Sequence, residues 1–212
     1  MQSFSLPLAA LLVAAAAGVA LPFRPFAVLR EPALRAPWIA ALVILPFAWS
    51  TLRVPGGPSL QLSGACLLVL MFGWPLAVWT ILPVAALGAW LLGASPAQGI
   101  ELAAWHGVVP ATFALAIGVA IRRWLPLHLF VYILGRGFIG TALAVMAAGA
   151  LATFVRPLPP ATDAATMLLG HWLMAWGEAL LTGMLTAIFV AFKPGWLLTW
   201  SDRRYLPRPP AT

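Results

Sequence analysis

Apolar runs broken by basic or proline- and glycine-rich stretches set the pattern of this chain. Seven runs stand out, over about 5–23, 38–52, 60–72, 75–92, 102–121, 127–154 and 165–192. A helix that crosses a bilayer needs roughly 20 predominantly apolar residues, so the longer runs each predict a spanning helix. The second and third are short for a crossing and fit either a span with little tilt or a half-buried hairpin. The break Gly73-Trp74-Pro75 separates the third run from the fourth. Pro157, Pro159 and Pro160 mark a loop, and Pro207, Pro209 and Pro210 mark a terminal tail. Pro83 and Pro110 fall inside runs, where the missing N–H leaves a carbonyl for a neighbouring helix or water to satisfy. The pattern predicts an all-α polytopic transmembrane bundle of about seven spans. One domain covers 1–198, and a short Pro/Arg-rich tail covers 199–212. No internal repeat of the inverted-transporter kind is evident.

Composition agrees. The chain is 63% hydrophobic and 8% charged, whereas a soluble domain carries roughly a quarter charged residues. Most of the surface must therefore face lipid, and the 11 tryptophans suit membrane interfaces. The net charge of +7 would suggest nucleic acid in a soluble protein. Here the basic residues lie in short connections between apolar runs, so they read as topology signals and no nucleic-acid partner is expected. Cys66 is the single cysteine, which excludes an internal disulfide. Met1–Leu6 lacks the basic start of a secretory signal, so the first run is expected to be a retained helix.

Charge placement tests the count. Arg24, Arg30, Arg35, Arg122, Arg123, Lys193, Arg203, Arg204 and Arg208 all fall on one side of a seven-span bundle. The opposite side holds Arg53 and Arg156, and Arg136 lies within a span. Lys and Arg accumulate on the cytoplasmic side. The expected topology is an external N-terminus and a cytoplasmic C-terminus in the inner (cytoplasmic) membrane. Six spans would scatter the charges over both sides.

Ionisable groups at membrane depth are the informative ones, because each is costly unless paired or hydrated. Glu178 lies near the middle of the seventh run. Met167, His171, Met174 and Glu178 are spaced to share one helical face. Two thioethers, an imidazole and a carboxylate form a candidate transition-metal set, although Met is common packing material and a His–Glu pair can simply bridge helices. Arg136, in Leu134-Gly135-Arg136-Gly137, is the candidate ion-pair partner of Glu178. His106, His128 and Cys66 read more readily as structural or interfacial residues. Ala10, Ala14 and Gly18 have the spacing of a close helix contact. No Gly-x-Ser-x-Gly, His-Glu-x-x-His, Cys-x-x-Cys or phosphate-binding loop occurs. An enzyme is not expected, and an ATP-driven process would need a separate ATPase.

Two stretches resemble the CbiM/NikM family, the membrane permease components of energy-coupling-factor importers for cobalt and nickel. One is Pro55-Gly56-Gly57-Pro58-Ser59-Leu60-Gln61-Leu62-Ser63-Gly64-Ala65, followed by the Gly73-Trp74-Pro75 connection. The other is Gly177-Glu178-Ala179-Leu180-Leu181-Thr182-Gly183, continuing to Pro194-Gly195-Trp196-Leu197-Leu198. The similarity runs over about 54–198. It implies a substrate-binding permease subunit for a transition-metal ion, working with a transmembrane coupling subunit and ATPase subunits. It also implies metal-binding histidines at the second residue and in the loop before the third helix. Gln2 and Gln61 stand at those positions. The alternative that this leaves open is a non-transporting structural or assembly subunit of a larger membrane complex.

Overall fold

The computed structural model describes residues 5–51, 62–158 and 162–206. Gln2, Arg53, the Gly56-Gly57 loop, Gln61, Pro159, Pro160, Arg208 and the tail prolines lie outside these residues. All regular structure among the described residues is helical. We label α1 Ser5–Ala20, α2 Pro32–Thr51, α3 Ala65–Leu91 and α6 Ala164–Phe192. α4 is Pro96–Trp124 and α5 is Val131–Val155, and α7 is the short Asp202–Tyr205. Among the described residues, six helices, α1 to α6, are long and apolar enough to cross a membrane. α2 begins at Pro32, earlier than its apolar run suggests. Arg35 and Pro37 interrupt the hydropathy there without interrupting the helix.

α3 contains both the third and the fourth apolar runs, and it is broken at Gly73 (φ 74°, ψ 160°). This backbone conformation is open essentially to glycine alone. The break reverses the chain. Run straight, Ala65 and Ile81 would lie about 24 Å apart. Instead Ser63 Oγ donates to the carbonyl of His106 at 2.5 Å, and Ile81 packs against the adjacent Gly107. Beyond the turn, Trp74 Nε1 donates to Thr112 Oγ1 (3.1 Å) and Ala89 lies against Gly99. Residues 74–91 therefore run antiparallel to α4. Residues 65–72 form a half-helix from mid-membrane to the turn, and they are buried except for half-buried Leu67.

The seven expected segments are thus six long helices and one half-length helix. Helix ends can be placed by contacts. Gly195 lies against Ala33, and Leu198 N donates to Met71 O at 2.9 Å. The connections at 21–31, 73 and 124–130 share this end with residues 193–206. Ala9 of α1 packs with Ala104, Trp105, Ala148 and Ala152 in the other half of the bundle, so α1 starts at the opposite end. Arg24, Arg30, Arg35, Arg122, Arg123, Lys193, Arg203 and Arg204 are all exposed on the C-terminal end.

Between lipid-facing helices, association depends on close packing and internal hydrogen bonds. α5 and α6 meet through glycines, with Gly137 against Thr186 and Gly183 against Phe138. Three hydroxyls in the spans are satisfied within their own helices: Thr80 donates to Leu76 O (2.7 Å), Thr153 to Gly149 O (2.9 Å) and Thr186 to Thr182 O (2.7 Å). Thr141 Oγ1 of α5, by contrast, is buried without a hydrogen-bond partner among the described residues.

α6 starts at Asp163, whose carboxylate accepts from Thr166 N at 3.0 Å. Hydrogen bonds from the Thr166 hydroxyl and then from its backbone N–H hold the carboxyl below its ordinary value of 3.8. The contribution of the cap is therefore complete above the unfolded value and is lost as pH falls through the lower folded value. Protection of the Thr166 amide, relative to its intrinsic exchange rate at each pH, is expected to fall on acidification below pH 3.8 and in Asp163→Ala at neutral pH. Equal exchange in wild type and variant would refute the cap.

Candidate functional site

The half-helix begins inside the protein at Ser63-Gly64, about 12 Å above the Gly73 turn. In a hydrocarbon core about 30 Å thick, that is near the middle. A helix N-terminus there exposes N–H donors that lipid cannot satisfy. Glu178 of α6 satisfies two of them: Oε2 accepts from Ser63 N at 2.8 Å and Oε1 from Gly64 N at 3.0 Å. Ser63 Oγ accepts from Ala65 N at 3.1 Å. Gly64 is left-handed (φ 66°), which turns consecutive N–H groups towards one carboxylate. A Cβ on it would overlap Leu45.

The remaining polar atoms of Ser63 are also engaged. Trp49 Nε1 donates to its carbonyl at 3.0 Å. Its hydroxyl bonds the carbonyl of His106, the group one α-helical turn before Pro110. Proline has no N–H to offer that carbonyl, and α4 passes through a π-turn over Ala103–Val108 at this point. Such bulges are frequent at functional sites. α2, α4 and α6 therefore converge on one serine. Glu178 is 2% exposed and acts as an anchor for backbone, negative charge facing the positive end of a helix.

The expected pairing of Glu178 with Arg136 is not formed. Glu178 is committed to Ser63 and Gly64. Arg136 sits lower on α5, against Gly118 of α4, with its guanidinium 5.3 Å from the Tyr132 ring centre. Its Nε is buried without a hydrogen-bond partner. The salt bridge among the described residues joins Arg156 to Glu101 at 3.0 Å. Met167, His171 and Met174 do lie on the face of α6 that carries Glu178, all half-buried. His171 is packed onto Gly149, where a Cβ would overlap its ring. Among the described residues no group of three or more His, Cys, Asp or Glu side chains converges as a metal cage. His106 contributes its carbonyl and an edge contact with Trp49. His128 is exposed beside Phe130 at the C-terminal end. Cys66 is buried next to Thr141 and Glu178.

Ser63 and Gly64 from one of the stretches that carried the sequence resemblance and Glu178 from the other meet here through hydrogen bonds. Compared with known protein families, residues 2–196 match CbiM, described as the cobalt uptake substrate-specific transmembrane region. The chain belongs to the CbiM family. No curated protein and no solved structure matches it. As a CbiM-family chain it is a membrane component of metal uptake, and that family is a transporter component and not an enzyme family. Spacing alone gave no signal for the roles of Ser63 and Trp49. Pro110, which leaves a carbonyl to be satisfied, was the one pointer to the His106 contact.

Proposed function

We propose that this chain is the substrate-binding permease subunit of an energy-coupling-factor type importer whose cargo is a transition-metal ion. The anchoring of Ser63-Gly64 by Glu178 carries this reading. It fixes, in mid-membrane, the end of the loop whose Gln61 occupies the family's ligand position. In sequence Gln61 directly precedes Leu62-Ser63, next to the residues that Glu178 anchors. Met167, His171 and Met174 supply soft and borderline donors on the same face of α6, suited to a transition metal. The amides of Gln2 and Gln61 replace imidazoles at the other family positions, so cargo preference shifts away from a purely histidine-bound ion.

The basic end of the bundle faces the cytoplasm of the inner membrane, and cargo enters from the opposite end. Energy comes from separate ATPase subunits through a transmembrane coupling partner, since the chain has no phosphate-binding loop. Uptake of radiolabelled cobalt by cells that express the chain with its partner subunits tests the reading. Accumulation is expected for wild type, with strong loss in His171→Ala/Met174→Ala. Uptake unchanged by the double substitution would remove α6 from the site. A stable complex without an ATPase and without retained metal would instead make the chain an assembly subunit.

A further inference from the structure

The half-helix 65–72 is fastened at both ends. Its upper end is held by Glu178 and Ser63. At its lower end the last carbonyls lack helical partners, and the segment that follows α6 supplies them. Leu198 N donates to Met71 O at 2.9 Å and Thr199 N to Leu70 O at 3.3 Å. Thr199 Oγ1 donates to the same Leu70 carbonyl at 2.8 Å. Since the hydroxyl proton of Thr199 is used there, the 2.7 Å contact between Tyr132 and Thr199 has the phenol as donor. The result is a relay from Tyr132 through Thr199 to Leu70.

Aromatic packing seats this segment on the bundle. The Tyr132 ring meets Trp200 at 4.9 Å and Tyr205 at 5.0 Å, and Trp200 stacks on Tyr205 at 4.8 Å. Trp200 Nε1 is held by Asp202 at 2.7 Å. Residues expected from composition to belong to a tail thus include buried Trp200 and Tyr205. Arg203 and Arg204 project from the outer side of the same segment.

We infer that residues 193–206 form a strap that sets the position of the half-helix and, through it, of the Ser63-Gly64 end of the cargo loop. A two-turn helix is stiff, and this one is enclosed by protein, so movement at its lower end is transmitted to its upper end. The Ser63-Gly64 end is thereby coupled to the basic face on which the exposed Arg203 and Arg204 lie. Thr199 and Tyr132 are positioning residues. The functional meaning of the coupling rests on the proposed cargo site, but the mechanical link does not.

Cys66, the sole cysteine, lies buried on the half-helix beside Glu178 and so reports on that link without any metal. The experiment measures the labelling rate of Cys66 by a small membrane-permeant methanethiosulfonate, in the full chain in lipid nanodiscs. Thr199→Val keeps the volume and removes the relay. Labelling should rise roughly tenfold, as expected when one or two hydrogen bonds leave a local opening equilibrium. Tyr132→Phe keeps the ring packing and should give a smaller rise, which covers the case in which Thr199→Val fails to fold. Glu178→Gln, at the other end of the rod, should also raise the rate. Thr112→Val removes the bond to Trp74 beyond the turn and should leave it unchanged. Wild-type labelling in both Thr199→Val and Tyr132→Phe, or an equal rise in Thr112→Val, would overturn the strap. Absence of Co(II) binding by wild type, with the labelling pattern as expected, would sink the cargo reading and leave the strap standing.

Discussion

Glu178→Ala is expected to abolish retention of Co(II) and to destabilise the bundle more than any other substitution of a polar side chain. The alanine leaves the N–H groups of Ser63 and Gly64 without acceptors in a place that water does not fill readily. Each unsatisfied buried donor costs about 1–3 kcal/mol, so the pair accounts for roughly 2–6 kcal/mol. That is a large share of the 5–15 kcal/mol that stabilises a typical fold. Glu178→Gln is the informative companion. Its amide offers one oxygen and one NH2 group to two donors, so one bond survives and one becomes a donor–donor conflict. Thermal unfolding in nanodiscs together with Co(II) retention should rank wild type above Gln and Gln above Ala. If Gln matched wild type in both, the carboxylate would not be the anchor.

Gly73→Ala is expected to have the second largest effect. Placing a side chain at φ 74°, ψ 160° costs about 1–3 kcal/mol in backbone strain. The new Cβ would also stand 3.3 Å from Leu198 Cδ2, tight enough to push on the strap. The substitution should lower Tm and raise Cys66 labelling, since the turn, the half-helix and the strap share this corner. Adding Leu198→Ala should recover the contact component and leave the strain component. Full recovery would mean that the backbone conformation at Gly73 carries no penalty. No change in the single variant would mean that the chain does not reverse at this residue.

Much of the architecture was legible because lipid imposes long apolar runs and because Lys and Arg collect at one end. The half-helix was legible only as a short run followed by Gly73-Trp74-Pro75. Hydropathy does not distinguish a half-length helix fed by a loop from a short crossing. The start of α2 was misplaced because Arg35 and Pro37 look like a boundary, although the helix tolerates both in its first turns. At the site, the sequence identified Glu178 as a costly intramembrane acid that needs a partner, and the natural candidate was the other intramembrane charge, Arg136. The partner proved to be backbone. An N–H group has no side-chain signature, so the sequence did not point to Ser63 and Gly64 as that partner. The strap escaped notice for a related reason. Proline and arginine in the tail suggest solvent, while Thr199, Trp200 and Tyr205 act through contacts with residues far away in sequence.

The central claim is that a carboxylate-anchored loop in mid-membrane belongs to a metal-ion site. Elemental analysis of the wild-type chain tests it most directly, after saturation with Co(II) and removal of free metal in nanodiscs, with Glu178→Gln measured in parallel. A single retained ion per wild-type chain and markedly less in the variant is the expected result. No retained ion in wild type, or equal retention in both proteins, would contradict it.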